Sequence, residues 1–310
     1  MKYAIFLSLV FYVCSIFAQI PNGYYNTAQG FTGSALKTKL NTIIKDHIEF
    51  PYTSGGTDVW DILKETDKDP NNPDNVILLY SGWSTNGEEE YNGGNGWNRE
   101  HVWAKSHGNF GNNEGPGTDV HALRPCDVSI NSARSNRWFA ECSTEYIDGD
   151  GPSGCFTSST DWVWKPNENV KGDVARMIFY MATRYEGEGI EPDLQIIDYL
   201  PSNNNTSDPI HAKLSDLLLW HAQDPVDDWE RNRNNIIYYD FQNNRNPFID
   251  QPEYAQLIWG DLSSTAPIND VQKTLIKIID YTGKNSEAVP FTPLIYIYSD
   301  GSTEKKYFTE

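Results

Sequence analysis

The chain has 310 residues, enough for one large domain or two smaller ones with a full hydrophobic core. Its 43 acidic and 24 basic side chains give a formal net charge of −19. Such a charge disfavours non-specific attraction to polyanions. A function on nucleic acid would therefore need local positive charge or a metal ion.

The chain begins with the pattern of a secretory signal peptide. Lys2 precedes an apolar run that ends at Phe17, and the small Ala18 follows it. We therefore expect residues 1–18 to be a signal peptide and the mature protein to be secreted. This run is short for a membrane span, and no later segment is apolar enough to be one.

The cysteine count predicts at most one disulfide. Cys126, Cys142 and Cys155 remain after removal of the signal peptide, which leaves an odd number. A short polar loop separates the last two, so we expect a Cys142–Cys155 bond and a free thiol at Cys126.

Periodicity and turn residues give the order of the elements. Helices are predicted within 33–50 and 57–67, the second capped by Thr57 or Asp58. Strands are predicted at 76–80, 99–104 and 118–125, followed by a helix that Asp127 caps. Residues 140–169 are rich in Gly, Ser and Thr, and we expect little regular structure there apart from "DWVW" at 161–164. Further helices are predicted at 170–185, 216–224 and 225–242.

The composition changes after Trp259. Residues 260–267 have the composition of a linker, and two strand segments follow, the second containing a hairpin turn, "SDGS". We therefore predict a main domain over 19–260 and a small β module over 264–310.

The residues with the most chemical potential lie on the strand–loop–strand–helix segment. Glu100 and His101 are neighbours, so on a strand they face opposite sides. A carboxylate such as Glu100 and an amide such as Asn131, on the following helix, offer the oxygen ligands that a hard divalent cation prefers. His101 would then stay free to take a proton from water.

Other interpretations of these residues stay open at this point. His101, His107 and His121 lie within 21 residues and could form a zinc site with Cys126, although the spacing fits no paired-ligand pattern. His121 is two residues from Asp119, which suits either a structural hydrogen bond or a supporting role at the site. Arg134 suits either a phosphate contact or a salt bridge.

Several motifs together resemble the bacterial endonuclease I family, which comprises secreted or periplasmic nucleases of the ββα-metal (His-Me finger) type. They lie in the family's order between about residues 33 and 259: "WNREHVWAKS", "DVHALRPCDVSINSARSN", "KGDVARMIFYM", "DPVDDWERNRN" and "NRNPFID". The resemblance implies an α+β nuclease domain with a ββα-metal motif. It also implies Glu100 and Asn131 as Mg²⁺ ligands, His101 as general base, and cleavage of DNA, often also RNA, with little sequence preference. The expected products carry 5′-phosphate, and Mn²⁺ or Ca²⁺ are alternative metals.

The phosphate-binding residues differ from those of some family members. In those members an arginine in a longer loop between the two strands clamps the phosphate, whereas the loop 104–118 here contains none. We expect phosphate contacts from basic residues near the strands, and supporting contacts from polar residues nearby. The expected phosphate-binding residues are Arg99, Lys105, Arg124 and Arg134, and the supporting ones are Asp119, His121 and Asn136.

The tail resembles the C-terminal sorting domains of proteins that Bacteroidetes export by the type IX route. That resemblance implies the export machinery as a partner. We expect the enzyme to act as a monomer on nucleic acid. Two rival functions are an aromatic-rich binding module, with Trp97, Trp103 and Trp138 as its platform, and a metal-dependent phosphodiesterase for small esters.

Overall fold

The computed structural model describes residues 20–260 and, in the tail, 275–280, 284, 286, 294–298 and 303–306. The expected signal peptide and most of the expected linker lie outside these residues. The chain divides into two compact units, Met1–Gly260 and Asp261–Glu310. Each unit is described by itself below.

The first unit combines eight α-helices with short strands among its described residues, which confirms the α+β class. The helices are α1 (Gly33–Ile44), α2 (Val59–Thr66), α3 (Val128–Arg134), α4 (Lys171–Arg184), α5 (Leu214–Gln223), α6 (Asp228–Ile236), α7 (Pro247–Asp250) and α8 (Glu253–Trp259). A π-helix follows α6 at Ile237–Gln242, and short 3-10 turns lie at Asn26–Ala28 and Asn92–Gly94. Every residue of α4 is buried, so this helix forms the centre of the core.

The strands form four small sheets in this unit. They are β1 (Lys68–Asp69), β2 (Asn72–Ile77), β3 (Ser84–Asn86), β4 (Trp97–His101), β5 (Leu123–Asp127), β6 (Trp138–Phe139), β7 (Thr144–Asp148), β8 (Gly151–Ser158), β9 (Val163–Lys165), β10 (Gln195–Ile197) and β11 (Ile210–Ala212). The sheet orders are β1-β2-β3, β4-β5, β6-β9-β8-β7 and β10-β11. β10 and β11 are parallel, as are β6 and β9, and the other pairs are antiparallel.

Two helix starts agree with the caps expected from the sequence. The Asp58 side chain accepts the Trp60 backbone amide at 2.8 Å and forms a capping box with Asp61. The Asp127 side chain accepts the backbone amides of Ser129 and Ile130 at 2.8 and 3.1 Å. These contacts satisfy amide groups that have no partner within the helix, and they fix where α2 and α3 begin.

The expectation for residues 140–169 was wrong, because strands β7 and β8 lie there. The excepted segment "DWVW" overlaps β9. β7 and β8 form a hairpin that closes at the pair Asp148–Gly151. In β8 only Ser153 and Cys155 are buried. Because β8 is rich in Gly, Ser and Thr and has no hydrophobic alternation, its sequence resembles that of a loop. It is a strand because it pairs with neighbouring strands.

The predicted Cys142–Cys155 disulfide is also absent, since Cys126, Cys142 and Cys155 are all free thiols in the described part of the chain. Cys155 faces the main core, with its sulfur 3.7 Å from the Tyr80 carbonyl oxygen. Cys142 packs against a separate cluster around Trp138. The two side chains thus belong to different hydrophobic clusters.

The second unit contains the strands expected for the tail. They are β12 (Leu275–Ile279), β13 (Leu294–Tyr298) and β14 (Thr303–Lys306), which form an antiparallel sheet in the order β12-β13-β14. The "SDGS" turn lies outside the described residues. In neither unit do the described residues include a helix long and apolar enough to cross a membrane.

Candidate active site

The candidate site is built on the antiparallel pair β4–β5 and on α3. Glu100 pairs with Arg124 in the ladder, and Trp97 pairs with Asp127. Asp127 ends β5 and also caps α3, so the helix follows the strand without a loop. The chain thus has the order strand, loop, strand and helix that the sequence indicated.

A cleft of about 550 Å³ lies beside β4. Its lining brings together residues from β4, the loop after it, α3 and more distant segments: Tyr52, Asn98, Arg99, Glu100, His101, Ala104, Lys105, Ser106, Asn131, Arg134, Ser135, Asn136, Trp162 and Asn205. Three of these side chains are cationic and one is acidic. The cleft is therefore locally positive on a chain whose net charge is −19.

Successive residues of β4 contact opposite sides of the site, as the strand geometry requires. Asn98 and Glu100 face α3, where they contact Asn131 and Arg134. Arg99 and His101 face Tyr52 instead. Alternation along one strand thus separates a possible metal ligand from a possible general base.

Glu100 is held by one of its two carboxylate oxygens. Its Oε1 accepts a hydrogen bond from the Tyr80 hydroxyl at 2.7 Å and lies 3.2 Å from Arg134 Nη1. Burial raises the pKa of Glu100, while Arg134 and the Tyr80 hydrogen bond act in the opposite direction. No described residue hydrogen-bonds to Oε2, so this oxygen remains free to bind a cation.

Asn131 is oriented in a similar way by its neighbour on β4. Its Nδ2 donates to Asn98 Oδ1 at 2.7 Å, which leaves the Asn131 Oδ1 atom without a partner among the described residues. A carboxylate oxygen and an amide oxygen on one cleft are a donor set that suits Mg²⁺ or another hard cation. The two residues therefore fit the metal that the family resemblance implies.

The histidine alternatives do not converge on a metal. No group of three or more His, Cys, Asp or Glu side chains that could hold a metal occurs within residues 20–260 or the described parts of the tail. His107 is buried and stacks on the Trp138 ring at 3.9 Å, outside the cleft. The structure therefore gives no support to the zinc interpretation.

His101 is held as a neutral ring with one defined nitrogen free. Its Nε2 lies 2.9 Å from the Gly117 carbonyl oxygen, which can only accept, so Nε2 carries the proton. Burial lowers the pKa of His101 to about 3, with smaller contributions from the nearby Lys105, Arg99 and Arg134. The Nδ1 lone pair is then available to accept a proton, as a general base requires.

Arg134 is a buried structural cation on the wall of the cleft. It is 1% exposed, and its guanidinium donates to the backbone carbonyls of His101 and Val102 at 3.0 and 2.6 Å. Together with its Glu100 contact, these bonds tie the end of β4 to α3. Most of its donors are therefore already used within the protein.

Arg99 and Lys105 are the cations with capacity to spare. The Arg99 guanidinium lies between two aromatic rings, 3.4 Å from the Tyr52 centroid and 4.1 Å from that of Trp60. The Lys105 ammonium group donates to Asn112 Oδ1 at 2.5 Å, and burial together with the charge of Arg99 lowers its pKa. Neither cation forms a salt bridge with a described residue.

Three other expected site residues lie outside the cleft. Arg124 is 3% exposed and forms buried ion pairs with Asp67 and, at 3.5 Å, with Asp173. Asp119 accepts hydrogen bonds from Tyr180 and Tyr185, and His121 Nε2 donates to the Asn244 carbonyl at 3.1 Å. These three residues belong to the buried polar network around α4.

Asn136 does line the cleft, where it supports its wall. Its Oδ1 accepts from Trp162 Nε1 at 2.8 Å, and its Nδ2 donates to the Asn204 carbonyl at 3.1 Å. Tyr52, Asn98 and Tyr80 were not predicted as site residues from the sequence. Only Asn98 had a local signal, because it lies on β4 two residues before Glu100.

The tryptophans of the rival binding platform are in the core. Trp97, Trp103 and Trp138 are 0, 1 and 0% exposed. A stacking platform for glycans needs accessible ring faces, so this part of the alternative was wrong.

The buried histidines predict that the protein loses stability in mild acid. Burial lowers the pKa of His107 to about 3 and those of His121 and His221 to about 4, below the unfolded value of about 6.5. Their contribution is complete above pH 6.5 and is lost as the pH falls. We expect each to cost about 2 kcal/mol of the free energy of unfolding between pH 7 and pH 5.

Urea unfolding of the parent and of His107→Phe at pH 7 and pH 5 measures this loss. Neither ring nitrogen of His107 has a partner among the described residues, and phenylalanine keeps the stacking on Trp138. The variant should lose less stability between the two pH values than the parent. Equal losses would show that His107 is not neutral in the folded protein.

The cleft is cationic and contains a carboxylate and an amide on one side of β4 and a neutral imidazole on the other. This combination suits a phosphodiester hydrolase. The family model described as Endonuclease I matches residues 32–253. The chain therefore belongs to the endonuclease I family and is a nuclease, which confirms the resemblance seen in the motifs.

Relatives of the chain carry nuclease names. It is 53% identical over 238 residues to the extracellular ribonuclease of Bacillus subtilis (strain 168), an alignment that covers 76% of this chain and 78% of that protein. It is 52% identical over 238 residues to the extracellular ribonuclease of Bacillus amyloliquefaciens, with the same coverage. It is also 27% identical over 138 residues to endonuclease-1 of Buchnera aphidicola subsp. Baizongia pistaciae (strain Bp), covering 43% of this chain and 46% of that protein.

Proposed function

We propose that the protein is a secreted, divalent-metal-dependent endonuclease that cleaves DNA and RNA with little sequence preference and leaves 5′-phosphate products. The observation that carries this proposal is the division of β4. Glu100 Oε2 and Asn131 Oδ1 are free on one side, and His101 Nδ1 is free on the other. The names of the two extracellular ribonucleases support secretion and an RNA substrate.

The base step follows from the hydrogen bond that holds His101. Because Nε2–H is fixed on the Gly117 carbonyl, Nδ1 takes a proton from a water molecule in the cleft. That water attacks phosphorus in line, and the bond from phosphorus to the 3′-oxygen breaks. The 3′-oxygen leaves as an alkoxide that takes a proton from solvent water and becomes a hydroxyl group, the phosphate stays on the 5′-oxygen, and His101 returns its proton to solvent.

The second requirement is stabilisation of the negative charge in the transition state. Glu100 and Asn131 would hold the cation, with Mg²⁺ as the expected metal and Mn²⁺ or Ca²⁺ as alternatives. When bound, it neutralises charge on the phosphate and on the leaving oxygen. Arg99 and Lys105 bind the phosphodiester backbone from the other side of the strand. Contacts to phosphate carry no sequence information, which accounts for the low sequence preference.

A cleavage assay with three substrates tests the proposal. Plasmid DNA, a single-stranded RNA and the chromogenic diester bis(4-nitrophenyl) phosphate are incubated with Mg²⁺ and, separately, with EDTA. We expect cleavage of plasmid and RNA that EDTA abolishes. Cleavage of the chromogenic diester alone would favour the small-ester phosphodiesterase, and cleavage in EDTA would refute the role of the metal.

We predict that the tail is dispensable for folding and for cleavage. All cleft residues lie before Gly260, so a chain truncated after Asp261 should keep its unfolding transition and its rate of plasmid cleavage. Calorimetry and plasmid nicking compare it with the full chain. A loss of either would make the tail part of the catalytic unit.

Binding should depend only modestly on salt. If Arg99 and Lys105 are the main phosphate contacts, the logarithm of the duplex binding constant should fall with log salt with a slope of roughly −2. Filter binding of His101→Ala, a variant expected to cleave duplex DNA only slowly, with Mg²⁺ and between about 50 and 200 mM salt gives this slope. A slope several units steeper would reveal a larger basic surface than the cleft provides.

We also propose that residues 1–18 direct export and that the enzyme acts as a monomer. The type IX route stays a prediction from the tail alone. Comparing secretion of the full chain with that of a chain lacking residues 264–310 in a type IX-competent host tests it.

A further inference from the structure

Tyr52 lies at the centre of a group of cleft side chains that the proposed mechanism does not explain. The Arg99 guanidinium is 3.4 Å from the centroid of its ring, and the Lys105 ammonium group is 5.7 Å from it. The His101 imidazole stacks near the same ring, with centroids 5.6 Å apart and planes 25° apart. One aromatic ring thus contacts both spare cations and the proposed base.

The two cations, Arg99 and Lys105, suit an anionic ligand. Neither has a salt bridge with a described residue, although the chain carries 43 acidic side chains. Arg99 Nε is buried and has no hydrogen-bond partner among the described residues. Its Nη1 binds the Tyr52 carbonyl and Thr53 Oγ1, which fixes the plane of the guanidinium. A rigid arginine beside a lysine, neither of them in a salt bridge with a described residue, suits a phosphate group.

The position of this pair relative to His101 indicates which phosphate it binds. Arg99 and His101 are two residues apart on the same face of β4, a separation of roughly 6.6 Å along the strand. That step is comparable to the distance between successive phosphates of a nucleic-acid strand. If His101 acts at the scissile phosphate, Arg99 is one phosphate away.

We propose that Arg99 and Lys105, packed on the ring of Tyr52, form a subsite for the backbone phosphate next to the scissile one. This inference rests on the proposed function and specifies its substrate class. The preferred substrate is an oligonucleotide with at least two consecutive phosphodiesters. Tyr52 is a positioning residue in this subsite, because its ring packs against the two cations.

Short oligothymidylates test the subsite directly. The parent enzyme with Mn²⁺ is assayed on TpT, which has one phosphate, and on TpTpT and a pentanucleotide, which have more. We expect kcat/KM to rise at least about tenfold when the second phosphate is added, as one charge-assisted contact allows. Further phosphates should add much less.

The variants distinguish the contribution of the two positive charges from that of the Tyr52 ring. Arg99→Gln and Tyr52→Leu should lose most of the gain from the second phosphate. Lys105→Gln should lose part of it, and Tyr52→Phe, which keeps the ring, should lose less than Tyr52→Leu. Lys39→Gln is the matched control, because Lys39 also packs on an aromatic ring, 5.3 Å from Phe31, but is exposed on α1 outside the cleft.

A calorimetric titration with Mn²⁺ accompanies each variant. Glu100 and Asn131 are unchanged, so the affinity for Mn²⁺ should equal that of the parent, which also shows that the site is folded. If Tyr52→Leu does not fold, Arg99→Gln and Lys105→Gln decide the question.

The outcomes distinguish this inference from the proposed function. A parent that cleaves plasmid but gains nothing from the second phosphate overturns the subsite alone. So does an undiminished gain in Arg99→Gln, or a gain that begins only with the pentanucleotide. A parent that cleaves neither plasmid, RNA nor any oligonucleotide overturns the proposed function itself.

Discussion

His101→Ala should lose activity by a factor on the order of 10²–10⁴ while its affinity for Mn²⁺ stays that of the parent. The reason is the geometry of β4. The imidazole lies on the Tyr52 side of the strand. On the α3 side, Glu100 contacts Arg134 and Asn131 contacts Asn98. Removing the base should therefore leave the ligand oxygens in place. Single-turnover cleavage of plasmid and calorimetric titration with Mn²⁺ measure the two quantities separately.

His107→Phe is the matched control for this experiment. His107 is likewise buried and has a pKa lowered to about 3, but it stacks on Trp138 and does not line the cleft. Its replacement should leave cleavage within about twofold of the parent rate, a margin typical of sites away from the chemistry. If His101→Ala instead loses Mn²⁺ binding, the imidazole is a ligand, and the two faces of β4 have the opposite roles.

The part of the site that the sequence could predict is local. Alternation on a strand separates Glu100 from His101, and the cap Asp127 starts the helix that carries Asn131. Both rules need only a few consecutive residues. They were sufficient to place Glu100 and His101 on opposite sides of one strand, and the strand, loop, strand and helix occur in the expected order.

Contacts between distant segments could not be predicted in the same way. Tyr52 reaches Arg99 from 47 positions earlier in the chain, and Tyr80 reaches Glu100 from 20 positions earlier. Nothing in the spacing or periodicity of "FPYTSGG" indicates which strand it will face. Such partners become visible only when the core has fixed the relative positions of the loops.

Arg124 illustrates a second limit. It lies on β5 opposite Glu100, yet its side chain forms buried ion pairs with Asp67 and Asp173, neither of which lines the cleft. All five residues of β5 are buried, so hydrophobic alternation does not distinguish its two faces. The sequence could place Arg124 near the site but could not determine the direction of its side chain.

The acidic composition and the nucleic-acid substrate are compatible because the charges are distributed unevenly. Arg124 and Arg176 form buried ion pairs with acidic partners, whereas Arg99 and Lys105 face the cleft with no salt bridge to a described residue. We expect the cleft to attract phosphate locally, while the net charge of −19 on the whole chain limits non-specific binding elsewhere.

Glu100→Gln and Asn131→Ala should both weaken Mn²⁺ binding, and both should lose most of the cleavage activity. Glutamine is preferred at position 100 because its amide oxygen can still accept from Tyr80 and face Arg134, whereas alanine would leave that buried arginine without its partner. What glutamine removes is the negative charge on the ligand. We expect the dissociation constant for Mn²⁺ to rise at least about tenfold in each variant, which corresponds to about 1.4 kcal/mol.

Asn136→Ala is the matched control for the metal titration. It removes the same amide from the same wall of the cleft, but the Asn136 side chain is bound to Trp162 and to the Asn204 carbonyl and not to the neighbours of Glu100. Its Mn²⁺ affinity should equal that of the parent. Parent-like affinity in both Glu100→Gln and Asn131→Ala would mean that the cation is held elsewhere. In that event the carboxylate on β4 would serve only to hold Arg134 against α3.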